Sequence, residues 1–355
     1  MGYVIRALMQ QDEDDCNSLG LVLMLRHLVS SSLRNSAENM SDPDEYSTTD
    51  IAGPRTLITN ERQRCGEMSE RTNEAVEVRA PELTRFTSAH LQQALGLSSE
   101  LGWPYRLEDW AFAQGLGEGW ALEQAGRLIG TAMRWQYGHA FATLGMIIVA
   151  NASQGRGYGA RLFDALLDDA GPQTLLLNST REGLGLYSRC GFLPIGEVYQ
   201  HQGVPTPGLS SPELGWVRAA GVCDLPMIDK LDSETVGMPR GRLLQRLAQA
   251  GRLSVIVRNG VVTGYAACRR FGRGHVIGPV VAEDVTHAQA LIEDAISKLP
   301  DTFIRVDIST TPDLGSWLET RGLKRVDTVT AMVRGAPPQP SGNARLFALC
   351  SQSLG

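Results

Sequence analysis

The sequence predicts an α/β (α+β) protein made of two copies of one folding unit, and three observations carry that prediction. From about residue 76, short apolar runs alternate with segments whose apolar residues recur every three to four positions, the periods of strands and amphipathic helices. The succession of hairpin, apolar strand, helix, strand and short glycine-terminated helix occurs twice. Between the two occurrences, residues 203–215 (GVPTPGLSSPELG) carry Pro, Gly and Ser at linker density.

In the first unit, VEVRAP (residues 76–81) reads as a strand, and Ser88 caps a helix running through Leu97. WALEQAGRLIGTAMRW holds two strand-like runs around the turn Ala125-Gly126, a hairpin. LGMIIV (residues 144–149) is a fully apolar strand, followed by a Gly-rich loop and a helix over residues 160–170. TLLLN (residues 174–178) is the next strand, and GLGLYSRCGF (residues 183–192) a short helix ending at Gly191. In the second unit, RLSVIVRNGVVTGYAACRR is a hairpin around Asn259-Gly260, a dipeptide that accepts the left-handed backbone of a two-residue turn. HVIGPVVA (residues 275–282) is a strand, residues 287–299 a helix and FIRVDI (residues 303–308) a strand. GSWLETRGL repeats the helix-then-glycine ending. The predicted organisation is a first unit over 76–202, a linker over 203–215, a second unit over 216–335 and a tail over 336–355 that packs on the fold.

Residues 1–75 precede these units as an acidic leader. Residues 1–67 hold 6 Arg and no Lys against 11 Asp and Glu, whereas the remainder holds 27 basic against 28 acidic residues. A stretch such as SSSLRNSAENMSDPDEYSTTD buries too little apolar surface to offset the entropy of ordering, so disorder is expected. Its one apolar run, residues 19–25, is far shorter than the roughly 20 residues a bilayer requires. The acids Asp12, Asp14 and Asp15 stand where a signal peptide would be basic. Met68 stands just ahead of the patterned sequence, and a chain beginning there is expected to match the full chain in thermal melting and turnover. Loss of either would show that the leader is required.

The 355 residues suffice for two domains, and 43% hydrophobic with 20% charged residues is the composition of a chain with a sizeable core. A net charge of −6 leaves no basic footprint for non-specific nucleic-acid binding. Six cysteines occur without a CxxC or CxH pair, against a zinc module and against a disulfide scaffold. No metal is expected, no membrane partner either, and the cysteine usage is that of a reducing, cytoplasmic setting.

The most informative segment is VANASQGRGYGARLF, residues 149–163. An apolar strand enters it, a helix leaves it from Ala160, and Gln154, Gly155, Arg156, Gly157, Tyr158 and Gly159 form the turn. Three glycines remove side chains where the backbone N–H groups of a helix start are unpaired. Those donors, with about half a positive charge from the helix dipole, make a seat for a pyrophosphate, to which Arg156 can add a direct charge. A dinucleotide-binding turn would read GxGxxG with an acidic residue about 20 positions on. Here the spacing is GxGxG, and Asn178 ends the next strand. The P-loop pattern fails because no GK[ST] is present. A purely structural tight turn stays open.

The order Gln-x-x-Gly-x-Gly followed by an LYxxxGF helix end resembles the GNAT superfamily of acetyl-CoA-dependent N-acetyltransferases. Gln154 to Gly159 match its acetyl-CoA loop, and Asn178, Tyr187, Gly191 and Phe192 match its second block. Asn151 departs from the Pro often found between strand and loop. GWPYRLEDW, WQYG, VGMPRGRLL and HVIGPVVAEDVTHAQAL are further similar to a bacterial subgroup of tandem acetyltransferases whose C-terminal domain is divergent. The resemblance implies two GNAT-like domains, each a mixed, mostly antiparallel twisted sheet flanked by helices. It implies acetyl-CoA as cosubstrate, held by the main chain at Ile148 or Val149, by Gln154, Gly155, Arg156, Gly157, Tyr158, Gly159 and Ala160, and by Asn178. It implies direct attack in a ternary complex, with Tyr187 as the acid candidate. The aromatics Trp103, Tyr105, Trp110, Trp135 and Tyr137 then fall where such a fold builds its acceptor pocket, suited to a small amine with an apolar or cationic part.

The second unit offers AEDVTHAQA (residues 282–290) in place of the Gly-rich loop. It has no glycine, and Glu283 and Asp284 put negative charge where a pyrophosphate would lie. Trp317 stands near the place of Tyr187, and an indole cannot protonate a thiolate. One competent half and one scaffold half are expected, the scaffold closing over the substrate, completing its pocket or only stabilising the fold.

Acetyl transfer to an amine requires a neutral nucleophile, yet an alkyl amine of pKa about 10.4 is neutral only about one part in a thousand at pH 7. The strand LGMIIV holds no carboxylate, leaving Glu108, Asp109 and His139 as base candidates by neighbourhood only. A phenol of pKa about 10 protonates a thiolate of pKa about 8.5 at a cost of about 2 kcal/mol, so Tyr187 serves better as a hydrogen-bond donor to sulfur. Cys190, just before Gly191, reads as a packing residue. The expected function is N-acetylation of a small-molecule amine, the alternatives being a protein or peptide acetyltransferase and a non-catalytic acyl-CoA-sensing module. A homodimer is compatible with the sequence.

Overall fold

One continuous sheet runs through residues 82–348 of the computed structural model, which describes residues 80–206, 215–309 and 312–355. The leader and most of the linker lie outside the described residues. The first half contains β1 (Glu82–Arg85), α1 (Leu91–Glu100), α2 (Leu107–Gln114), β2 (Glu118–Gln124), β3 (Arg127–Tyr137), β4 (Phe141–Val149), α3 (Tyr158–Ala170), β5 (Thr174–Ser179), α4 (Leu184–Arg189) and β6 (Leu193–Gly203). The second contains β7 (Val217–Ala219), α5 (Leu225–Val236), α6 (Gly241–Ala250), β8 (Gly251–Arg258), β9 (Val261–Phe271), β10 (Gly274–Ala282), α7 (Val285–Ser297), β11 (Ile304–Ser309), α8 (Pro312–Thr320), β12 (Lys324–Arg334) and β13 (Arg345–Ala348).

Local chemistry accounts for many of these elements. Ala125 and Gly126 (φ 49° and 76°) and Asn259 and Gly260 (φ 52° and 77°) take the left-handed backbone that matches a two-residue turn to the twist of its strands. In α3, Leu162, Phe163, Leu166 and Ala170 fall on one face and pack on Leu144, Leu175 and Leu177 of the sheet. Two expectations shift. The first strand is Glu82–Arg85 rather than residues 76–81, because pairing with β2 begins at Glu82↔Glu123; residues 76–79 lie outside the described residues. The first helix starts a turn on Thr87, whose N–H donates to His90 Nδ1 (2.9 Å), and ends at Glu100.

The strand order is β1-β2-β3-β4-β5-β12-β6-β11-β13-β10-β9-β8-β7. Each half therefore completes its sheet with a strand of the other. β12 lies between β5 and β6 (Met332↔Leu177 on one side, Val329↔Val198 on the other), and β6 continues onto β11 (Val306↔His201). The core follows the sheet. Trp110, Met133 and Trp135 of the first half pack in one cluster with Leu247, Tyr265 and Val281 of the second. Among the described residues no helix is long and apolar enough to cross a membrane.

The parallel pairs β4–β5 and β10–β11 occupy equivalent places and end differently. β10 and β11 pair only at His275↔Ile304 and Val276↔Arg305 before parting, and β13 fills the wedge, Val280↔Ala348 on one side and Ile308↔Ala348 on the other. β4 and β5 pair from Phe141↔Thr174 to Leu144↔Leu177 and then part, with no strand of the described residues between them.

Candidate active site

The parting of β4 from β5 has a local cause. Met146 takes a positive φ of 50°, and the β3–β4 register shifts between Thr131 and Met133, so one extra residue bends the strand. Thr131 Oγ1 donates to the Met146 carbonyl (2.8 Å) and holds the bulge. Beyond it, Ala150 N–H donates to the Ile129 carbonyl (2.9 Å), so the antiparallel alternation pairs Ile148 with Thr131 and turns the main chain of Val149 to the open edge. Ile148 thus drops out of the expected ligand-facing set, its amide in the ladder and its side chain in the core.

The loop that follows is shaped by its own side chains and glycines. Gln154 Nε2 donates to the Val149 carbonyl (3.1 Å) and to Asn151 Oδ1 (3.2 Å), closing the turn on itself. Gly155 and Gly157 are left-handed (φ 75° and 78°), and a Cβ at either would meet nothing within 4 Å, so the space before the loop is open. Helix α3 makes its first bond from Arg161 N–H to the Gly157 carbonyl (3.0 Å), leaving the amides of Tyr158, Gly159 and Ala160 without intrahelical acceptors. Arg156 is exposed beside them. This donor set, cation and open space fit an anion of diphosphate size.

Where β4 and β5 part lies a cavity of about 410 Å³. The first half contributes residues 144–147 of β4, Asn178, Tyr187, Gln200 and Gln202, with Trp103 and Tyr105, whose ring centroids are 6.1 Å apart. The second half contributes Arg273, Arg305, Val326 and Asp327, and the tail beyond β13 contributes Gln352 and Ser353. Asn178 Nδ2 donates to the Gln352 carbonyl (2.7 Å), so this expected cofactor ligand anchors the tail. Gly145 must be glycine for the tail to pass, since a Cβ there would stand 2.7 Å from Ser353.

Tyr187 lines the cavity with its ring tilted on Phe163 at 4.9 Å. Burial pushes its phenol up to about 12, so the hydroxyl stays protonated across the working range and acts as a donor. Burial likewise raises the Cys190 thiol, in keeping with a packing residue.

Three expected pocket aromatics belong to the core instead. Trp110, Trp135 and Tyr137 are buried, and their polar atoms are spent internally, on Ser98 Oγ (3.1 Å), the Ala113 carbonyl (2.8 Å) and the Leu354 carbonyl (2.7 Å). The base candidates also stand elsewhere. Asp109 caps α2 through Arg106 N–H (3.0 Å) and accepts from Gly272 N–H of the second half (2.9 Å); Glu108 points to solvent, and His139 lies in the β3–β4 turn. Arg273, Arg305, Asp327, Gln352 and Ser353 escape sequence reasoning, because strand exchange brings them to the site from 86 to 166 positions beyond Tyr187.

The equivalent place in the second half is closed. Asp284 caps α7 by accepting from His287 N–H (2.9 Å), Trp216 covers the His287 ring at 5.3 Å, and β13 occupies the wedge. Leu318, not Trp317, holds the register of Tyr187: Leu323 N–H donates to the Leu318 carbonyl (3.0 Å) as Phe192 N–H does to that of Tyr187 (3.1 Å). Leu318 is buried and has no proton to offer.

Comparison with known proteins gives the same duplication. Models described as acetyltransferase (GNAT) domain match residues 108–207 and again residues 228–348, one in each half. The chain belongs to the GNAT superfamily. This tandem GNAT acetyltransferase is 29% identical over 287 residues to the uncharacterized N-acetyltransferase YitH of Bacillus subtilis, covering 77% of the present chain and 98% of that one. It is 26% identical over 224 residues to a holothin acyltransferase of Pseudoalteromonas, covering 62% and 75%. Among solved structures, a candidate acetyltransferase of Pyrococcus horikoshii superposes with a TM-score of 0.65 at 17% identity, over 81% of this chain and all of that one. A tandem GNAT protein from the clavulanic acid biosynthesis pathway gives 0.53 at 13% identity, over 74% and 100%. These two likenesses establish the fold. GNAT acetyltransferases in general use acetyl-CoA, and the chain is accordingly an acyltransferase.

Proposed function

We propose that this GNAT protein transfers acetyl from acetyl-CoA to the amine of a small molecule, by direct attack while both substrates are bound. The observation that carries the reading is the cavity where β4 and β5 part, bounded on its acceptor side by the second half and the tail. A peptide acceptor would need a long open groove, whereas this cavity has the volume of a small-molecule site.

In this reading the amides of Tyr158, Gly159 and Ala160, with Arg156, hold the diphosphate of the donor, and Gln154 keeps the loop in shape. The Val149 main chain faces the thioester, where an amide donor to the carbonyl oxygen is worth about 3–4 kcal/mol in the transition state. Tyr187 donates a hydrogen bond to the sulfur as charge develops there. Full proton transfer from a phenol near 12 to a thiolate near 8.5 would cost about 5 kcal/mol, so donation without transfer is its role. Trp103 and Tyr105 supply the apolar wall for the acceptor.

CoA release measured over a panel of small amines tests the reading. Acceptor-dependent release is the expected result; release only with peptides, or acetyl-CoA binding without turnover, would replace it by one of its alternatives. Tyr187→Phe is expected to lower kcat about 10- to 100-fold while the KM for acetyl-CoA changes less than about threefold, the split that marks an interaction made in the transition state. An unchanged kcat would remove Tyr187 from the chemistry.

A further inference from the structure

The charged groups that the second half brings to the cavity are not equivalent. Arg305 is closed on Asp307, Nε standing 3.0 Å from both carboxylate oxygens and Asp307 fully buried. That pair is electrically satisfied and serves as wall. Among the described residues neither Arg273 nor Asp327 forms a salt bridge, although the Asp327 charge acts on Arg305 at longer range. The guanidinium of Arg273 lies over the Phe303 ring at 4.4 Å and is otherwise exposed. Asp327 follows a register shift in β12, and its Oδ1 accepts from Thr328 N–H (2.7 Å), leaving Oδ2 free. Arg273 sits in the β9–β10 turn, so its charge is not needed to hold a strand pair.

One cavity therefore offers an exposed cation and an exposed anion outside any salt bridge, beside the carboxamides of Gln200 and Gln202 and the rings of Trp103 and Tyr105. A neutral or purely cationic acceptor would leave Arg273 without a counter-charge. A purely anionic one would meet Asp327 as a like charge, which weakens binding. A molecule bearing both charges satisfies both.

We propose that the acceptor is a zwitterion, an amine that also carries an acidic group as an amino acid does, with Arg273 binding the acid and Asp327 the ammonium. A carboxylate presents two oxygens to a guanidinium fork, the geometry that gives arginine its specificity for such groups. Asp327 acts in capture: it draws in the ammonium form that dominates at neutral pH, whose proton passes to solvent at this exposed position. The neutral amine then attacks the thioester carbonyl, forming the C–N bond as the C–S bond breaks, and CoA leaves as a thiolate that the amine's second proton neutralises. The acceptor is thus chosen by the half that lacks an open donor wedge. This inference rests on the reading that acetyl is transferred to a small amine.

Steady-state kinetics with matched acceptors test it: the amino acids, their amides, the decarboxylated amines and the corresponding aminophosphonates, with acetyl-CoA-induced thermal stabilisation measured alongside. An acid-bearing amine is expected to exceed its amide and its decarboxylated amine by about tenfold or more in kcat/KM. Arg273→Gln is expected to erase that preference by raising KM about tenfold for the acid-bearing amine and less than about threefold for its amide. Asp327→Asn is expected to raise KM for acids and amides alike, and neither variant should alter the acetyl-CoA shift. Preference for the aminophosphonate identifies the acid as phosphate-like and keeps the zwitterion. Equal rates across the set, or a preference that survives Arg273→Gln, overturns the inference while acetyl transfer stands. A parent protein that acetyl-CoA does not stabilise overturns the transfer reading and this one with it.

Discussion

Gly157→Glu is expected to melt at the same temperature with and without acetyl-CoA, whereas the parent gains about 4 kcal/mol of stability at a thousandfold excess of ligand over Kd. Two effects act together. Gly157 is left-handed at φ 78°, where a side chain other than Gly or Asn costs about 1–2 kcal/mol. The carboxylate would also stand at the first turn of α3, beside the amides of Tyr158, Gly159 and Ala160, and compete with a diphosphate for the same donors. Gly157→Asn separates the two, because Asn tolerates the left-handed backbone and brings no charge; it is expected to keep most of the thermal shift. Differential scanning fluorimetry over an acetyl-CoA series reads both. A full shift in Gly157→Glu would remove the loop from the donor site.

The second large effect concerns stability. Asp232 and Arg240 are almost wholly buried, with Nε donating to Oδ2 (3.0 Å) and a terminal nitrogen to Oδ1 (2.7 Å), and the Tyr265 hydroxyl donates to the same carboxylate. The Asp232 carboxylate holds the Arg240 guanidinium well above its usual range. Asp232→Ala leaves a guanidinium and a phenol in the core without an acceptor, a loss of about 3–5 kcal/mol. For a domain of this size that lowers Tm by roughly 6–20 °C. Replacing the pair together, Asp232→Leu with Arg240→Met, is expected to recover most of the loss, since two well-packed apolar groups need no partners. Denaturant titration of the single and double variants decides the matter. A loss under about 1 kcal/mol for Asp232→Ala would show that water or a neighbour compensates the buried cation.

The same separation between local and non-local cause explains what could be read in advance. The hairpins at Ala125-Gly126 and Asn259-Gly260 were legible because a two-residue turn is specified by the residues inside it. The Gly-rich loop was legible for the same reason: an apolar strand, alternating glycines and an amphipathic helix are adjacent in the chain. The aromatic window was legible only in part. Trp103 and Tyr105 reach the cavity, but Trp110, Trp135 and Tyr137 turn inward to Ser98, Ala113 and Leu354. An aromatic residue has the same composition signature whether it lines a cavity or fills a core.

By itself, the sequence determined the duplicated α/β pattern, the turn chemistry and the donor loop, along with the absence of such a loop in the second half. These features depend on neighbours a few residues apart, and glycine conformations and hydrophobic periods encode them directly. Tertiary structure alone decided that β6 and β12 exchange halves, that β13 closes the second wedge and that Arg273 and Asp327 share a cavity with Tyr187. An apolar strand is equally content against any partner of matching register, so its place in the sheet is chosen by the packing of the whole molecule.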